Sequence, residues 1–397
     1  MFLRELELEE FRSYRHLDLR LDAAGLRLVG PNASGKSTVL EAIAMLATTR
    51  SPRTSSEREL LNWTSGEEYG VPPFARVRGR YSGAAGEGEL ELRLQADSER
   101  PTALRKQVRV DGRPSRALDA VGRLRAVLFA PEDVGVVSGP PSGRRRYLDL
   151  TISQLDSRYL RALSRFNRVL EQRNSLLKSL QRQRVHPRDP MVGEQLAFWD
   201  SELVSNGAVV IDRRCRIVAI HARHAAERFG QLSGLGGLEL AYVPSVPLSE
   251  RMLSGNATDG TSEAARDFAA ALDAARDDEL RRGVTLVGPH RDDLAIRIDG
   301  VDVGAFGSRG QQRLAIVALK IAEIDVMSSI SGDSPILLLD DVLSELDPAH
   351  RSLLLSVAGS LGAQVLVTAT EVWDVDATEL AALPLARVGI GPSLSIG

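Results

Sequence analysis

The sequence predicts an α/β protein built around a buried parallel sheet. A glycine-rich run, Gly30 to Thr38 (GPNASGKST), follows an apolar segment ending at Val29 and precedes a helix-like segment (TVLEAIAML), so the order is strand, loop, helix. Much later, Pro335 to Asp341 (PILLLDD) is an apolar run that ends in two carboxylates. A continuous apolar strand is typical of a parallel sheet covered on both faces.

Length and composition narrow the class of protein. The chain has 397 residues, of which 43% are hydrophobic, so two or three domains are expected. The net charge is only -3, so any nucleic-acid partner would be held by a local basic surface. The single cysteine, Cys215, excludes an intrachain disulfide and a cysteine-based zinc site. No apolar run approaches the ~18 residues of a membrane span, and the N-terminal stretch is too charged for a secretory signal. We therefore expect a cytoplasmic protein with no membrane partner.

The glycine-rich run matches the phosphate-binding pattern G-x-x-x-x-G-K-[ST] at every fixed position. Its two glycines let the backbone curl so that N–H groups face an anion at a helix N-terminus. Lys36 is expected to reach the β and γ phosphates of a bound nucleotide, and the Ser37 hydroxyl to bind Mg²⁺. A chance glycine-rich turn is disfavoured by the flanking strand and helix. The predicted nucleotide contacts are Gly30, Pro31, Asn32, Ala33, Ser34, Gly35, Lys36, Ser37 and Thr38.

The carboxylates that end the apolar strand are the expected partners of this loop. Asp340 is predicted to lie on the metal side of the site, and Asp341 to orient or deprotonate the attacking water. An ordinary strand end followed by a solvated turn would look similar. The phosphate loop makes that alternative less attractive, because two parts of one site are then present independently.

A third stretch, FGSRGQQRLAIVALKIAEI from Phe306, distinguishes among nucleotide enzymes. Ser308 can cap the helix that follows, whose first turn carries Gly310 and the amides of Gln311 and Gln312. A capped amphipathic helix would explain the same pattern without any catalytic role. The predicted buried face of that helix is Leu314, Val317, Ala318 and Ile321.

The run SRGQQ resembles the signature motif of ABC-type ATPases, and Ser344 to Asp347 (SELD) resembles the loop that follows their acidic strand. In such enzymes the signature of one subunit caps the ATP held by another. The resemblance therefore implies that Ser308, Gly310 and Gln311 act in trans, and that ATP joins two copies of the chain. A helix N-terminus carrying a serine hydroxyl is a plausible anion site for that purpose.

The long insertion between loop and signature differs from transporter ATPases, which bring the two motifs closer together. Residues 74–130 alternate in short β-like pieces broken by glycine. Two helical runs, 144–185 and 192–229, predict an antiparallel pair with a turn near Pro187 and Pro190. Residues 230–262 are rich in Gly, Ser, Thr and Pro and indicate a loose connection.

These segments predict an ABC-type P-loop ATPase head with a β-rich lobe and an inserted antiparallel helical lobe. The head is expected to comprise residues 1–143 and 284–397, and the inserted lobe, with its connection, residues 144–283. The SMC and Rad50 ATPases also separate loop from signature, with much longer heptad arms.

Five stretches, in order along the chain, resemble the RecF family, a group of SMC-type ATPases without long arms. They are FRSYRHLDL, GPNASGKS, FAPEDVGVVSGPPSGRRRYLD at 129–149, GPHRDDL at 288–294, and SRGQQR together with LLLDDVLSELD. The main departure is Ala33, where many relatives carry glycine.

The resemblance implies an ATP-dependent dimer with weak ATPase activity that binds gapped or single-strand-containing DNA. It also implies that RecO and RecR are partners, and that the complex loads the RecA recombinase in recombinational repair, replication restart and SOS induction. Slow hydrolysis is expected because Asp341 stands where glutamate is commoner, and Thr368 where many ABC ATPases have a switch histidine. Two rival hypotheses are the ATPase subunit of a transporter and a nuclease partner, Rad50-like or of the overcoming-lysogenization type.

Several basic residues are candidates for phosphate contacts, although a solvated surface would explain them equally well. Arg12 and Arg50 are candidates for approaching the nucleotide, Arg144 to Arg146 for serving the fold or the dimer, and His290 with Arg291 for a structural or communicating role. The DNA candidates are Arg100, Arg105, Lys106, Arg109, Arg113, Arg116, Arg123 and Arg125, then Arg158, Arg161, Arg165, Arg168, Arg173, Lys178, Arg182 and Arg184.

Overall fold

The computed structural model describes most of the chain, and its residues fall into two compact units. One unit comprises Met1–Asp133 and Lys320–Gly397, and the other comprises Val134–Leu319. The described residues are 1–67, 69–97, 104–185, 189–233, 237–343, 346, 348–370, 383–388 and 394–396.

The described residues form both strands and helices, in mixed order along the chain. The strands are β1 (Phe2–Phe11), β2 (Tyr14–Arg20), β3 (Gly25–Val29), β4 (Phe74–Gly83), β5 (Gly86–Ala96), β6 (Leu104–Val110), β7 (Arg113–Ser115), β8 (Ala126–Phe129), β9 (Leu238–Val243), β10 (Asp293–Ile298), β11 (Val301–Asp302), β12 (Ile336–Asp340), β13 (Val365–Ala369), β14 (Leu385–Val388) and β15 (Leu394–Ile396). The helices are α1 (Lys36–Thr48), α2 (Ala117–Ala120), α3 (Val134–Ser138), α4 (Pro141–Leu155), α5 (Ser157–Arg182), α6 (Pro190–Ser233), α7 (Glu250–Leu253), α8 (Gly260–Arg282), α9 (Val303–Phe306), α10 (Arg309–Ser331) and α11 (Pro348–Ser360).

The first unit contains the predicted parallel sheet, in the order β15-β14-β3-β13-β12-β8. Only β15 runs antiparallel to its neighbour. The residues of β12 from Ile336 to Leu339 are fully buried, which is why the sequence there is continuously apolar. Since β3 and β12 both pair in parallel with β13, their C-terminal ends meet at one edge of the sheet.

A second, antiparallel sheet of the first unit has the order β2-β1-β4-β5-β6-β7. One face packs with α1 and the parallel sheet into a single apolar core, with Leu6, Leu40 and Val77 among its members. The other face carries crossed ion pairs; for example, Arg78 bonds both Glu7 and Glu89. Opposite charges on neighbouring strands stabilise such a face and also balance its charge. The β-rich lobe expected from the sequence is this sheet.

The second unit is mainly helical. Helices α5 and α6 run antiparallel, because Leu177 and Leu180 near the end of α5 pack on Val192 and Leu196 at the start of α6. Helix α8 packs on both, and a small antiparallel sheet, β11-β10-β9, completes the unit. The fold class predicted from the sequence, with its inserted antiparallel helices, is confirmed.

Two predictions about the insertion were wrong. The first helical run is two helices, since the Asp156 carboxylate accepts hydrogen bonds from the backbone N–H of Arg158 and Tyr159 and so caps α5 separately from α4. Residues 230–262 are not a loose connection, because they contain β9, α7 and the start of α8. In β9 the buried residues alternate strictly with exposed ones. The sequence LELAYV already shows an alternation of period two, which is typical of a half-buried strand.

The predicted boundaries at 143/144 and 283/284 differ from those of the compact units, which fall at 133/134 and 319/320. As a division into functional lobes they stay a prediction. Among the described residues, no helix combines the length and the apolar character that a bilayer crossing requires.

Candidate nucleotide-binding site

The phosphate loop occupies the turn between β3 and α1, at the carboxyl edge of the parallel sheet. Both fixed glycines are required there by space. A Cβ on Gly30 would lie 2.2 Å from the Val388 carbonyl oxygen, and Gly35 has φ +103° with the Tyr14 hydroxyl 2.9 Å from where its Cβ would be. Helix α1 begins at the next residue, so the first N–H groups of the helix are directed at the loop.

Ala33 also adopts a left-handed conformation, with φ +62°. That region costs a residue with a Cβ roughly 1–2 kcal/mol but costs glycine very little. This explains a preference for glycine at the position, and it indicates that this chain tolerates strain inside the loop.

The Lys36 side chain lies along the loop that it follows. Its Nζ donates to the carbonyl oxygens of Gly30 at 2.7 Å and Pro31 at 2.9 Å. Burial lowers the pKa of this amine, while the nearby charges of Asp341 and Asp340 oppose that shift. The ammonium therefore sits between the loop and the two strand-end carboxylates, where it can meet an anion.

Loop and acidic strand are joined directly. The Ser37 hydroxyl donates to Oδ1 of Asp340 at 2.7 Å, although the two residues are 303 positions apart. Thr368, at the end of β13, donates to the same Oδ1 at 2.9 Å. The Thr368 oxygen also accepts from the backbone N–H of Asp341 at 2.9 Å. The structure thus brings together the serine and the carboxylate that the sequence assigned to one metal.

Thr368 was not predicted to act on the acidic strand. The sequence marked it only as a missing histidine, whereas the structure shows it fully buried and bonded to both consecutive aspartates. Asp341 itself turns into the left-handed region, with φ +55°. This turn separates the two carboxylates: Asp340 ends the strand, and Asp341 begins the loop beyond it.

The hairpin between β1 and β2 braces the loop from the other side. The Tyr14 hydroxyl donates to the Gly35 carbonyl at 3.3 Å, and burial raises the pKa of that hydroxyl to about 12. Arg12 forms a two-pronged ion pair with Glu41 of α1, at 3.0 and 2.7 Å. Arg12 therefore fastens the hairpin to the helix that follows the loop, which the sequence did not reveal because the two residues are far apart.

The signature stretch lies in the second unit and is organised by its own side chains. Ser308 Oγ accepts from the Gln311 backbone N–H at 3.2 Å, and the Gln311 side-chain oxygen accepts from the Ser308 N–H at 2.8 Å. This reciprocal pair is a capping box. Ser308, Gly310 and Gln311 are all exposed, so the N-terminus of α10 faces outward.

The rest of α10 differs from the amphipathic helix that the spacing predicted. Every residue from Ala315 to Met327 is buried, so the burial is not confined to one face. The polar members Lys320 and Glu323 form an ion pair at 3.4 Å, and Lys320 also meets Asp133 at 3.6 Å. Leu314, expected to be buried, is only half-buried.

Two family stretches of unknown role meet in the interior of the second unit. Arg144 bonds both carboxylate oxygens of Asp293, and Arg145 donates to the Asp292 carbonyl at 2.7 Å. The fully buried Arg214 bonds Asp149 at 2.8 Å and lies 3.5 Å from Asp292. The stretches RRRYLD and GPHRDD therefore serve the fold of this unit through one buried polar network. This agrees with the structural alternative for Arg144 and Arg145, whereas Arg146 is exposed and its role stays a prediction.

The candidate DNA contacts separate into two groups. Residues on or near the β-rich lobe are mostly paired: Lys106 with Glu57, Arg109 with Glu91 and Arg125 with Asp333. Arg173 was wrongly grouped with the surface, because it is fully buried and bonded to Asp200 and Glu279. Arg100 lies outside the described residues. The candidates that remain exposed on or just after α5 are Arg158, Arg161, Arg165, Arg168, Lys178, Arg182 and Arg184.

The remaining site predictions have mixed outcomes. Arg50 is exposed. Of the SELD loop, Ser344, Glu345 and Asp347 lie outside the described residues. Within the described part of the chain no cluster of three or more His, Cys, Asp or Glu side chains could hold a metal by itself. That suits Mg²⁺, which usually takes one or two carboxylates together with substrate phosphates.

The donor set fits a Mg²⁺-nucleotide. The first N–H groups of α1 are directed at the loop, Lys36 supplies a cation, and Ser37 with Asp340 supplies two adjacent oxygens. Together with a parallel sheet, an acidic strand and a separate signature helix, this site defines an ABC-type ATPase head of the kind that carries a long insertion.

Comparison with known proteins agrees. The family described as RecF/RecN/SMC N terminal domain matches residues 2–379. The DNA replication and repair protein RecF of Thermomicrobium roseum is 47% identical over 98% of this chain and 99% of its own length. The RecF protein of Chloroflexus aurantiacus is 45% identical, again over 98% of this chain and 99% of its own length. The chain belongs to the RecF family, as its motifs predicted.

Solved structures give the same result for the fold. A recombination mediator protein RecF with ATP, of the RecFOR pathway, has a TM-score of 0.84 at 28% identity, covering 100% of this chain and 97% of that one. An Smc head bound to the C-winged helix domain of ScpA has a TM-score of 0.54 at 14% identity, covering 100% and 98%. The latter likeness concerns the fold alone.

Proposed function

We propose that this chain binds ATP with Mg²⁺, dimerises on ATP, and recognises gapped or single-strand-containing DNA. With RecO and RecR it then helps to load the RecA recombinase in recombinational repair, replication restart and SOS induction, in the cytoplasm. The observation that supports the nucleotide part is the hydrogen bond between Ser37 and Asp340, the hydroxyl and the carboxylate that we assign to one metal site. Membership of the RecF family supports the rest.

The roles within one chain follow from the geometry. The backbone N–H groups of the loop and the Lys36 ammonium bind the phosphates. Mg²⁺, when bound, supplies positive charge that neutralises the phosphate oxygens. Ser37 and Asp340 hold it, and Thr368 fixes the orientation of Asp340 by donating to Oδ1. Asp341 orients or deprotonates the attacking water.

Slow hydrolysis is part of the proposal. A general base acts only when it lies within hydrogen-bond reach of the water. Asp341 is one methylene shorter than the glutamate that is commoner here, and it lies in a left-handed turn that restricts its backbone. Thr368, buried and committed to the two aspartates, supplies no imidazole for that water. ATP hydrolysis would therefore time the release of DNA.

The signature completes the site in trans. Ser308, Gly310 and Gln311 form an exposed, internally bonded helix N-terminus. Exposed N–H groups at a helix start favour a phosphate. We assign them to the γ-phosphate held by a second copy of the chain, so that ATP stabilises the dimer.

The solvent face of α5 is our candidate for the DNA backbone. Arg158, Arg161, Arg165 and Arg168 recur at intervals of three and four, so they share one face of the helix, and Lys178 and Arg182 follow. From Ser157 to Arg182 the helix spans roughly 39 Å, comparable with one turn of duplex DNA. One member, Arg165, is paired with Glu202 at 3.2 Å. By contrast, the exposed face of the antiparallel sheet is balanced by carboxylates and offers less net charge.

Binding to gapped duplex, compared with plain duplex, with and without ATP and followed by measurement of mass, tests the proposal. We expect ATP to produce a dimer and to tighten binding to the gapped substrate. Replacing Arg158, Arg161 and Arg168 together by glutamate should weaken binding and lower the slope of log affinity against log salt by about 0.9 per lost phosphate contact. A matched control makes the same change at Arg105, Arg109 and Arg113, which are exposed arginines of the other unit. An unchanged salt slope in the α5 variant would contradict the assignment of α5, and the absence of any DNA binding would contradict the proposal itself.

A further inference from the structure

Trp63 is the most exposed large apolar side chain among the described residues, with 98% of its surface accessible. Tryptophan side chains are usually well buried, because the indole carries a large apolar area. It follows Asn62 in the segment between α1 and β4. Neither the phosphate loop nor the acidic strand makes use of it.

The turn that presents Trp63 is held firmly on both sides of the indole. The Asn62 backbone N–H donates to the Glu10 carbonyl at 2.8 Å, and the Asn62 side chain donates to the Arg12 carbonyl at 2.7 Å. On the other side, the Thr64 hydroxyl accepts from Arg15 at 2.8 Å. The backbone on both sides of Trp63 is therefore fixed, and the indole projects from it into solvent. A fully exposed aromatic ring on a fixed backbone is suited to stacking on a flat ligand.

The turn bearing Trp63 and the phosphate loop both bond to the hairpin between β1 and β2. The β1–β2 hairpin turn, residues 11–14, bonds Asn62 through Arg12 on one side and contacts Gly35 through Tyr14 on the other. Ser13 Oγ lies 3.0 Å from the position that a Cβ on Gly35 would take. The turn bearing Trp63 and the loop assigned to the phosphates therefore contact the same hairpin.

The charges around Trp63 are of mixed sign. Sites for single-stranded nucleic acid combine stacking aromatics with a positively charged groove. Here the exposed charges are Arg15 on β2, with Arg53, Arg58, Glu59 and Glu67 on the segment itself, so the surface is not uniformly positive. A nucleobase is flat and uncharged, and the residues assigned above to the nucleotide address only its phosphates and metal.

We propose that the Trp63 indole stacks on the base of the nucleotide whose phosphates are held by the loop of the same chain. This inference rests on the proposed ATP binding and adds to it the residue that receives the base. Stacking is tolerant of base identity, because every base has a π-face. Trp63 would thus strengthen the binding of ATP and GTP alike, and would leave the binding of a base-free triphosphate unaffected.

The test compares Kd values for Mg²⁺-ATP, Mg²⁺-GTP and inorganic tripolyphosphate with Mg²⁺, measured by calorimetry on the full chain. Trp63→Ala should weaken ATP and GTP by about 10-fold and leave tripolyphosphate unchanged. Trp63→Phe, which keeps an aromatic face, should restore most of the affinity. Phe198→Ala is the matched control, because Phe198 is an exposed aromatic in the other unit, and it should change none of the three.

Fluorescence gives a second readout that is independent of turnover. The chain has three tryptophans, so the emission of Trp63 is obtained by subtracting the emission of Trp63→Phe from that of the parent. ATP should quench the Trp63 emission, and tripolyphosphate should not.

The possible outcomes are distinct. Equal loss of ATP and tripolyphosphate affinity in Trp63→Ala would mean that the indole only supports the loop, and would overturn the inference. Unchanged ATP affinity in Trp63→Ala would also overturn the inference. If that variant instead lost DNA binding or ATP-induced dimers, Trp63 would be assigned to a DNA contact or to a dimer contact. If the parent chain binds neither ATP nor tripolyphosphate, the proposed ATP binding fails before Trp63 is tested.

Discussion

The phosphate loop and the signature are both helix N-termini, yet their surroundings are opposite. The loop is braced by other parts of its own chain: the β1–β2 hairpin, β12 through Asp340, and β13 through Thr368. The signature turn is held by nearby residues of its own segment and is exposed. Ser308 and Gln311 cap each other, and the Gln312 side chain donates to the Val303 carbonyl at 3.2 Å. The phosphate loop is thus enclosed by its own fold, whereas the signature turn is held locally and faces outward.

In the trans arrangement that we propose, this difference has a physical reason. The half that would hold the nucleotide needs many fixed neighbours, because its backbone must stay curled around the phosphates. The half that would come from a second copy of the chain needs only a preformed surface. If the signature belonged to the same site within one chain, we would expect it to be buried against the loop it serves.

The largest expected effect is on the rate of ATP hydrolysis. It tests whether the catalytic base lies beside the phosphate loop, at Asp341. Asp341→Asn should reduce turnover roughly 10²–10⁴-fold while ATP binding and ATP-induced dimers persist. Asparagine tolerates the left-handed φ of +55°, so the fold should survive. Asp299→Asn, at an exposed residue with φ +50°, is the matched control. Near-normal turnover in steady-state assays of Asp341→Asn would place the base elsewhere.

The next effect is on nucleotide affinity and tests the enclosed half directly. Lys36→Met removes the buried cation between the loop carbonyls and the two aspartates, so ATP should bind roughly 100-fold more weakly. Calorimetry measures this, with Lys178→Met on the surface of α5 as the control. If the variant keeps the parental affinity, the loop assignment is wrong.

A third substitution tests the open half. Ser308→Arg should leave ATP binding by the monomer intact but prevent ATP-induced dimers, because a long side chain would block the approach of a second copy. Sedimentation with and without ATP measures the dimer, and Ser254→Arg, an exposed serine elsewhere in the same unit, should behave as the parent. Dimers that persist in Ser308→Arg would contradict the trans arrangement.

The smallest effect concerns the stability of the unit that carries the signature. Burial lowers the pKa of His290 to about 4, from an ordinary value of 6.5, with the charges of Arg291, Arg145 and Arg173 adding to the shift. The unfolded chain takes up a proton near pH 6.5 and the folded chain does not, so folding loses stability as the pH falls from 6.5 towards 4. The loss should be about 2 kcal/mol at pH 5.

Denaturant unfolding at pH 7 and pH 5 measures this loss, and the same pair of measurements on His290→Asn isolates the histidine. The parent should lose more stability than the variant between the two pH values. Equal losses would mean that His290 titrates normally in the folded chain.

The sequence predicted the parts of the site that lie within short motifs. Gly30, Lys36 and Ser37 stand at fixed spacing, and the parallel strand before Asp340 was plain from its apolar run. The contacts that join those parts were not predictable, because Arg12 to Glu41 and Thr368 to Asp340 connect residues distant in the chain. Nothing in the local pattern of a threonine says which carboxylate it will meet.

The insertion was predicted less well, for a physical reason. Arg173 was grouped with exposed arginines because its spacing along α5 resembles theirs, yet a buried arginine is allowed wherever carboxylates meet it. Those carboxylates, Asp200 and Glu279, come from other helices. Conversely, the alternation in β9 was visible but was masked by the many glycines and prolines around it.

The burial of Arg173 restricts how the helices of the second unit can move against one another. Arg173 lies on α5, and its guanidinium forms ion pairs with Asp200 on α6 and Glu279 on α8. It therefore joins three helices. A slide of one helix by a single turn, about 5.4 Å, would leave a full charge stranded in an apolar interior. The three helices are thus held in register, because a slide of one past the others would break these buried ion pairs.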